Sequence, residues 1–122
     1  MANALNWFEI PVVNMDRAAA FYSEVLGVAV EAGQMSPGYS MAMFPNERDG
    51  VGGALVSGEG YVPSMSGTLV YLNGGDDLSG PLSRVEAAGG QVIVPKTDIG
   101  ENGFFAFFVD TEGNKIGLHS MG

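Results

Sequence analysis

WFEIPVVNMDRAAAFYSEVLG, residues 7–27, decides how the rest of the chain is read. Phe8, Ile10 and Val12 alternate with Trp7 and Glu9, the period-two pattern of a strand with two different faces. The pattern changes at Asn14. From Met15 onward, Ala18, Ala19, Tyr22, Val25 and Leu26 recur at helical spacing. Asn14 is placed to cap that helix, because its side-chain oxygen can accept from backbone N–H groups left free in the first turn. Gly27 then stops the helix where a left-handed residue is needed.

Working outward, residues 28–32 read as a short strand and residues 34–38 as a turn. Residues 39–44 read as a strand, 45–50 as a turn and 52–57 as a strand. Residues 58–67 form a polar connection rich in glycine. The pattern then restarts. A strand is expected over 68–72 and a turn over 74–80. A helix follows, with Pro81 in its first turn and Leu78, Leu82 and Val85 along its apolar stripe. Gly89 and Gly90 end it. Strands are expected over 92–95, 104–109 and 115–119, with a loop over 99–103 and a turn over 110–114. Each half is strand–helix–strand–strand–strand, and the second begins about 62 residues after the first. Neither half can bury both faces of its helix and sheet alone.

Composition removes several functions. The chain has 122 residues, 14 acidic and 5 basic side chains, and a formal net charge of −9. So few cations cannot displace counterions along nucleic acid or hold an anionic membrane surface, so neither partner is expected. The absence of Cys removes disulfides, thiolate metal sites and Cys nucleophiles. The 19 glycines lack a three-residue period and 46% of residues are hydrophobic, which argues against collagen and against disorder. The start of the chain lacks a signal-peptide pattern, and its longest apolar run is strand length, so a cytoplasmic location is expected. The glycine pairs lie outside any phosphate-loop pattern. Asp110 and Glu112 read as turn residues rather than as a calcium loop. With a single His, a hydrolase triad would have to use His119, and no Ser stands in an elbow motif.

Residues 7–27, residues 89–120 (GGQVIVPKTDIGENGFFAFFVDTEGNKIGLHS) and the duplicated element order resemble the vicinal oxygen chelate superfamily. That superfamily includes glyoxalase I, bleomycin-resistance proteins and extradiol dioxygenases. Within it, the chain is most similar to small proteins related to lactoylglutathione lyase. The most specific matches are Arg17, Phe21, Tyr22, Leu26 and Gly27 on the helix, and Asp110, Glu112, Gly113 and Asn114 in the last turn. The resemblance implies an α+β fold of tandem β-α-β-β-β modules that form a cupped, mostly antiparallel sheet. A single domain over 1–122 is expected, with module one at 5–57, a linker at 58–66 and module two at 67–120. The resemblance also implies a homodimer, in line with the exposed sheet edges of an open cup.

Family metal enzymes carry ligands at positions matched here by Trp7, Ala54, Thr68 and Gly117. None is a usual His or Glu donor, and a divalent ion needs about three or four protein donors. No metal and no cofactor are therefore expected. Strand parity puts Glu9 on the face of Trp7, and His119 on the face of Gly117. Glu9 and His119 are the candidate catalytic pair, if they meet. Trp7, Tyr39, Met41, Met43, Thr68, Phe105 and Phe107 are the candidate ligand-binding residues. Any one of these apolar side chains can instead pack the core, and His119 can sit at a frayed strand end. The leading expectation is a metal-independent protein that holds an apolar or cationic small molecule in the cup. The alternative is a glyoxalase-like lyase or isomerase, or a dioxygenase relative, with an atypical metal site.

Overall fold

The structure, a computed structural model, describes residues 3–122. The first module has the expected order: β1 (Trp7–Pro11), α1 (Met15–Leu26), β2 (Glu31–Ser36), β3 (Tyr39–Met43) and β4 (Gly52–Ser57). The Asn14 side chain accepts from the Arg17 amide at 3.1 Å. Gly27 takes the left-handed conformation at φ 68° and returns its N–H to the Ser23 carbonyl. The strand expected over 28–32 lies further on, at Glu31–Ser36. The reason is the helix exit. Val28 still donates to the Ser23 carbonyl, and the Val30 amide donates to the Ser23 hydroxyl. The turn tightens correspondingly to Pro37-Gly38, with Gly38 at φ 85°, the proline–glycine order that a type II turn favours.

The second module runs β5 (Tyr71–Asn73), α2 (Ser79–Arg84), β6 (Gln91–Asp98), η1 (Gly100–Asn102), β7 (Phe104–Val109) and β8 (Lys115–Ser120). β5 starts later than expected, so Thr68 precedes the strand. α2 stops at Arg84, well before Gly89-Gly90. Gly90 is instead a close-approach position, since a Cβ there would lie 2.8 Å from the Phe21 ring. β6 is longer than expected and carries two register shifts against β7.

The strands form two separate four-stranded sheets, ordered β1-β4-β3-β2 and β5-β8-β7-β6. Each is mixed. β1 pairs parallel with β4 and β5 parallel with β8, and the other pairings are antiparallel. The fold is thus α+β with paired β-α-β-β-β modules, as the sequence implied. No helix is long and apolar enough to cross a membrane among the described residues.

The two sheets share one core. Ile10, Ala42 and Leu55 from the first sheet join Leu72, Ala106, Phe108 and Leu118 from the second, with Phe21, Tyr22 and Val25 of α1 between them. Phe21 packs on Phe108 with ring centres 5.8 Å apart. The alternate residues of every strand therefore face away from the helices.

A buried polar clasp locks this arrangement. Glu112, in the β7–β8 turn, has a fully buried side chain. One carboxylate oxygen accepts from the Val13 and Asn14 amides at 2.8 and 2.7 Å, and the other from Arg17 Nε at 2.7 Å and the Thr111 hydroxyl at 2.9 Å. Beside it, the buried Tyr22 hydroxyl donates to Asp110 at 2.6 Å. Asn114 donates to the Pro11 carbonyl at 2.8 Å. Asp110 and Glu112 are turn residues, as expected, and the same turn joins the two modules. Burial alone would push the Glu112 carboxyl up. Hydrogen bonds from Arg17, the Asn14 amide, Thr111 and the Val13 amide outweigh it and hold the group at about 2, against an ordinary 4.5.

Because the folded state lowers this value, the clasp stabilises fully above pH 4.5 and loses its contribution as pH falls through about 2. Urea denaturation of wild type should weaken across that range. Glu112→Gln should cost about 2–3 kcal/mol near neutral pH, and the difference from wild type should shrink in acid. A difference that does not change with pH would contradict the assignment.

Candidate functional site

On the second sheet, Asn73, His119 and Phe105 form one cross-strand row facing away from the helices, and Tyr71, Gly117 and Phe107 form the next. The Tyr71 and Phe107 rings lie 5.8 Å apart and those of Phe105 and Phe107 5.0 Å apart, both tilted. These side chains border a cavity of about 870 Å³, with Ile99, Asn102 and Met121 on its rim. His119 Nε2 lies 2.6 Å from the Asn102 carbonyl oxygen. A carbonyl can only accept, so Nε2 carries the proton.

A second cavity, about 920 Å³, opens between the edges of the two sheets at β1 and β5. Trp7, Glu9 and Thr68 border it, and Tyr71 and Asn73 belong to both cavities. Trp7 Nε1 donates to Glu9 Oε2 at 3.2 Å, and the Tyr61 hydroxyl donates to Glu9 Oε1 at 3.1 Å. That hydrogen bond to Glu9 is the main reason the Tyr61 hydroxyl is shifted up.

The structure groups the expected site residues unevenly. Phe105, Phe107 and His119 share the cavity on the second sheet, while Trp7, Glu9 and Thr68 share the cleft beside it. Glu9 and His119 have different hydrogen-bond partners and are not joined to each other. Tyr39 packs edge-on against Tyr61 and borders a polar groove near the start of α1. Met41 and Met43 share its face of the first sheet, and Met43 is half exposed.

Tyr71, Asn73 and Asn102 were not expected. An early start for β5 put Thr68 in phase and Tyr71 out of it. The available signal was Gly117, since glycine inside a strand marks a close approach by another group. A Cβ on Gly117 would lie 2.6 Å from the Tyr71 ring.

The fold family implies a divalent ion, and the residues here do not fit one. At the positions that the resemblance matches to ligands, Trp7 presents an indole and Ala54 a buried methyl, Thr68 lies before β5 with one hydroxyl, and the Tyr71 ring covers Gly117. No three His, Cys, Asp or Glu side chains gather to hold a metal among the described residues. Gly117→Ala should displace the Tyr71 ring and cost about 1–2 kcal/mol in urea denaturation. In a Tyr71→Ala background that cost should largely vanish, and an undiminished cost would contradict the contact.

The comparisons with known proteins agree with this architecture. The model of the Glyoxalase/Bleomycin resistance protein/Dioxygenase superfamily matches residues 4–118. A glyoxylase-like domain-containing protein of Didymella fabae is 31% identical over 118 residues, covering 90% of this chain and 88% of that protein. The CFP32 protein of Mycobacterium bovis is 29% identical over 118 residues, 93% of this chain but 44% of its own length. The chain thus spans less than half of that relative. Among solved structures, TnmS3, an antibiotic binding protein from Streptomyces sp. CB03234, superposes with a TM-score of 0.69 at 27% identity. That match covers 100% of this chain and 99% of TnmS3. Glyoxalase I of Leishmania major superposes at 0.70 with 20% identity, covering 98% of this chain and 88% of that one, which speaks for the fold alone. The chain therefore belongs to the glyoxalase/bleomycin resistance protein/dioxygenase superfamily.

Proposed function

We propose that this chain binds a flat, largely apolar small molecule, neutral or cationic, on the open face of its second sheet, without a protein-held metal. The observation that carries this reading is the Tyr71–Phe107–Phe105 ring cluster beside a cavity large enough for such a molecule. These rings face away from the shared core, so core packing does not account for them. A net charge of −9 disfavours an anion here, and the Phe107 ring already carries the Lys115 ammonium 4.5 Å from its centre. His119 and Asn73 supply polar contacts at the cavity edge. The likeness to an antibiotic binding protein at 27% identity supports a ligand-capture role.

A second reading has one observation in its favour. With Nε2 donating to Asn102, Nδ1 is the ring nitrogen of His119 left to meet a ligand proton. In that reading the protein is an enzyme, His119 moves the proton, and Glu9 acts from the adjoining cleft. Among the described residues, the sheets also leave β1, β2, β5 and β6 as unpaired edges. We propose that the chain uses such edges to form a homodimer. Sedimentation equilibrium should then return twice the chain mass, and the monomer mass would contradict it.

Calorimetric titration with planar aromatic amines should show one site per chain. Phe107→Ala should weaken binding about tenfold or more while the protein stays folded. Saturable binding without turnover supports capture. Turnover of methylglyoxal–thiol adducts or catechols that disappears in His119→Ala supports the enzyme. Binding unchanged in Phe107→Ala contradicts the site.

A further inference from the structure

We propose that the cleft between β1 and β5 is a separate binding site, for an amphipathic carboxylate: an apolar chain or ring carrying a single carboxyl group, anchored on Arg84. This goes beyond the cavity of the second sheet, and either site can exist without the other.

The cleft is apolar along most of its wall. Leu5, Phe8, Leu26, Val28, Phe44 and Val51 line it, and its volume of about 920 Å³ suits a small molecule. Arg84 is the cation on that wall. Its Nε donates to the Glu24 and Val25 carbonyls at 3.1 and 3.0 Å, at the end of α1 where a positive charge is favoured. These two bonds hold the guanidinium plane in place.

The Nη groups of Arg84 make no hydrogen bond to any described residue, and no described carboxylate lies within ion-pair distance of them. That is unusual in a chain with 14 acidic side chains and 5 basic ones. Arg17 is paired with Glu112, Lys96 with Asp77, and Lys115 lies over the Phe107 ring. Glycines flank the free guanidinium face. A Cβ at Gly27 would lie 3.8 Å from Nη2, and one at Gly80 would lie 3.9 Å from Nη1. Gly80 lies in the first turn of α2, so no side chain on that turn stands beside Nη1.

A fixed guanidinium with open Nη donors matches a carboxylate through two parallel hydrogen bonds. The apolar wall matches a hydrocarbon body. Glu9, held by Trp7 and Tyr61 on the β1 side of the cleft, disfavours a second negative charge on the ligand. Trp7, the single Trp of the chain, also borders the cleft and will report occupancy.

The test is a fluorescence titration of the full chain with dodecanoate below its micelle concentration. Dodecyltrimethylammonium is titrated in parallel. Dodecanoate should give a saturable one-site change at Trp7. Arg84→Gln should weaken it about tenfold or more, Arg84→Lys should restore part of the loss, and His119→Ala should leave it unchanged. Should Arg84→Gln unfold by circular dichroism, Val28→Glu serves instead. It adds a negative charge to the wall without touching the Arg84 bonds, and it should abolish binding. The proposal is overturned if the ammonium binds as tightly, or if no saturable change occurs. It is also overturned if the charge variants bind dodecanoate like wild type, or if the Trp7 signal follows protein rather than dodecanoate concentration, which would mean a second copy fills the cleft. Loss of amine binding in Phe107→Ala with dodecanoate binding intact separates this site from the one on the second sheet.

Discussion

The Glu112 carboxylate holds the start of one module against the last turn of the other. It satisfies the Val13 and Asn14 amides, which no strand or helix partner reaches, and it neutralises Arg17. A buried carboxylate without such partners would be costly. With them it fixes how β1 enters α1, and α1 in turn packs its apolar side against residues of both sheets. Tyr22–Asp110 and Asn114–Pro11 bind the same turn at neighbouring points. Since that shared core takes one face of each sheet, the other face is free of core packing. The aromatic cluster follows from that release, whereas the cleft opens where the core-side residues Phe8, Leu26 and Phe44 reach the sheet edges.

Much of this was legible in the residues. Alternation in Trp7–Pro11, the Asn14 cap and the Gly27 stop specify β1 and α1 because local chemistry decides them. The duplicated order was readable for the same reason. Where tertiary contacts decide, the reading slipped. Val28 and Val30 look like strand residues, yet Ser23 captures their backbone for the helix exit. Thr68–Leu72 looks like a strand, yet regular pairing begins at Tyr71. An offset of odd length turns every side chain to the other face. That slip hid Tyr71 and Asn73 and promoted Thr68. Glu9 and His119 each lie on the face their parity indicated, but parity within a strand does not say whether two sheets bring their faces together.

Two positions that the resemblance matches to metal ligands, Trp7 and Gly117, carry bulk and its absence here. Gly117 has no side chain, and the Tyr71 ring uses the space. Trp7 stands over Gly52, whose Cβ would lie 3.1 Å from its ring. Trp7 thus presents apolar surface, and Gly117 leaves room for the Tyr71 ring. In the proposed reading, ligands are selected by shape, desolvation and ring electrostatics rather than by coordination. The placement of cations is consistent with that division. Four of the five lie away from the cleft, in an ion pair, over a ring or on an exposed turn, and Arg84 alone borders it.

The central claim is that the outward ring cluster of the second sheet is the ligand site. Backbone chemical-shift mapping of the isotopically labelled chain, titrated with a planar aromatic amine, tests it most directly. The account predicts that the largest shifts fall together at Tyr71, Asn73, Phe105, Phe107 and His119. Shifts that leave these residues unmoved and concentrate instead on the first sheet would contradict it.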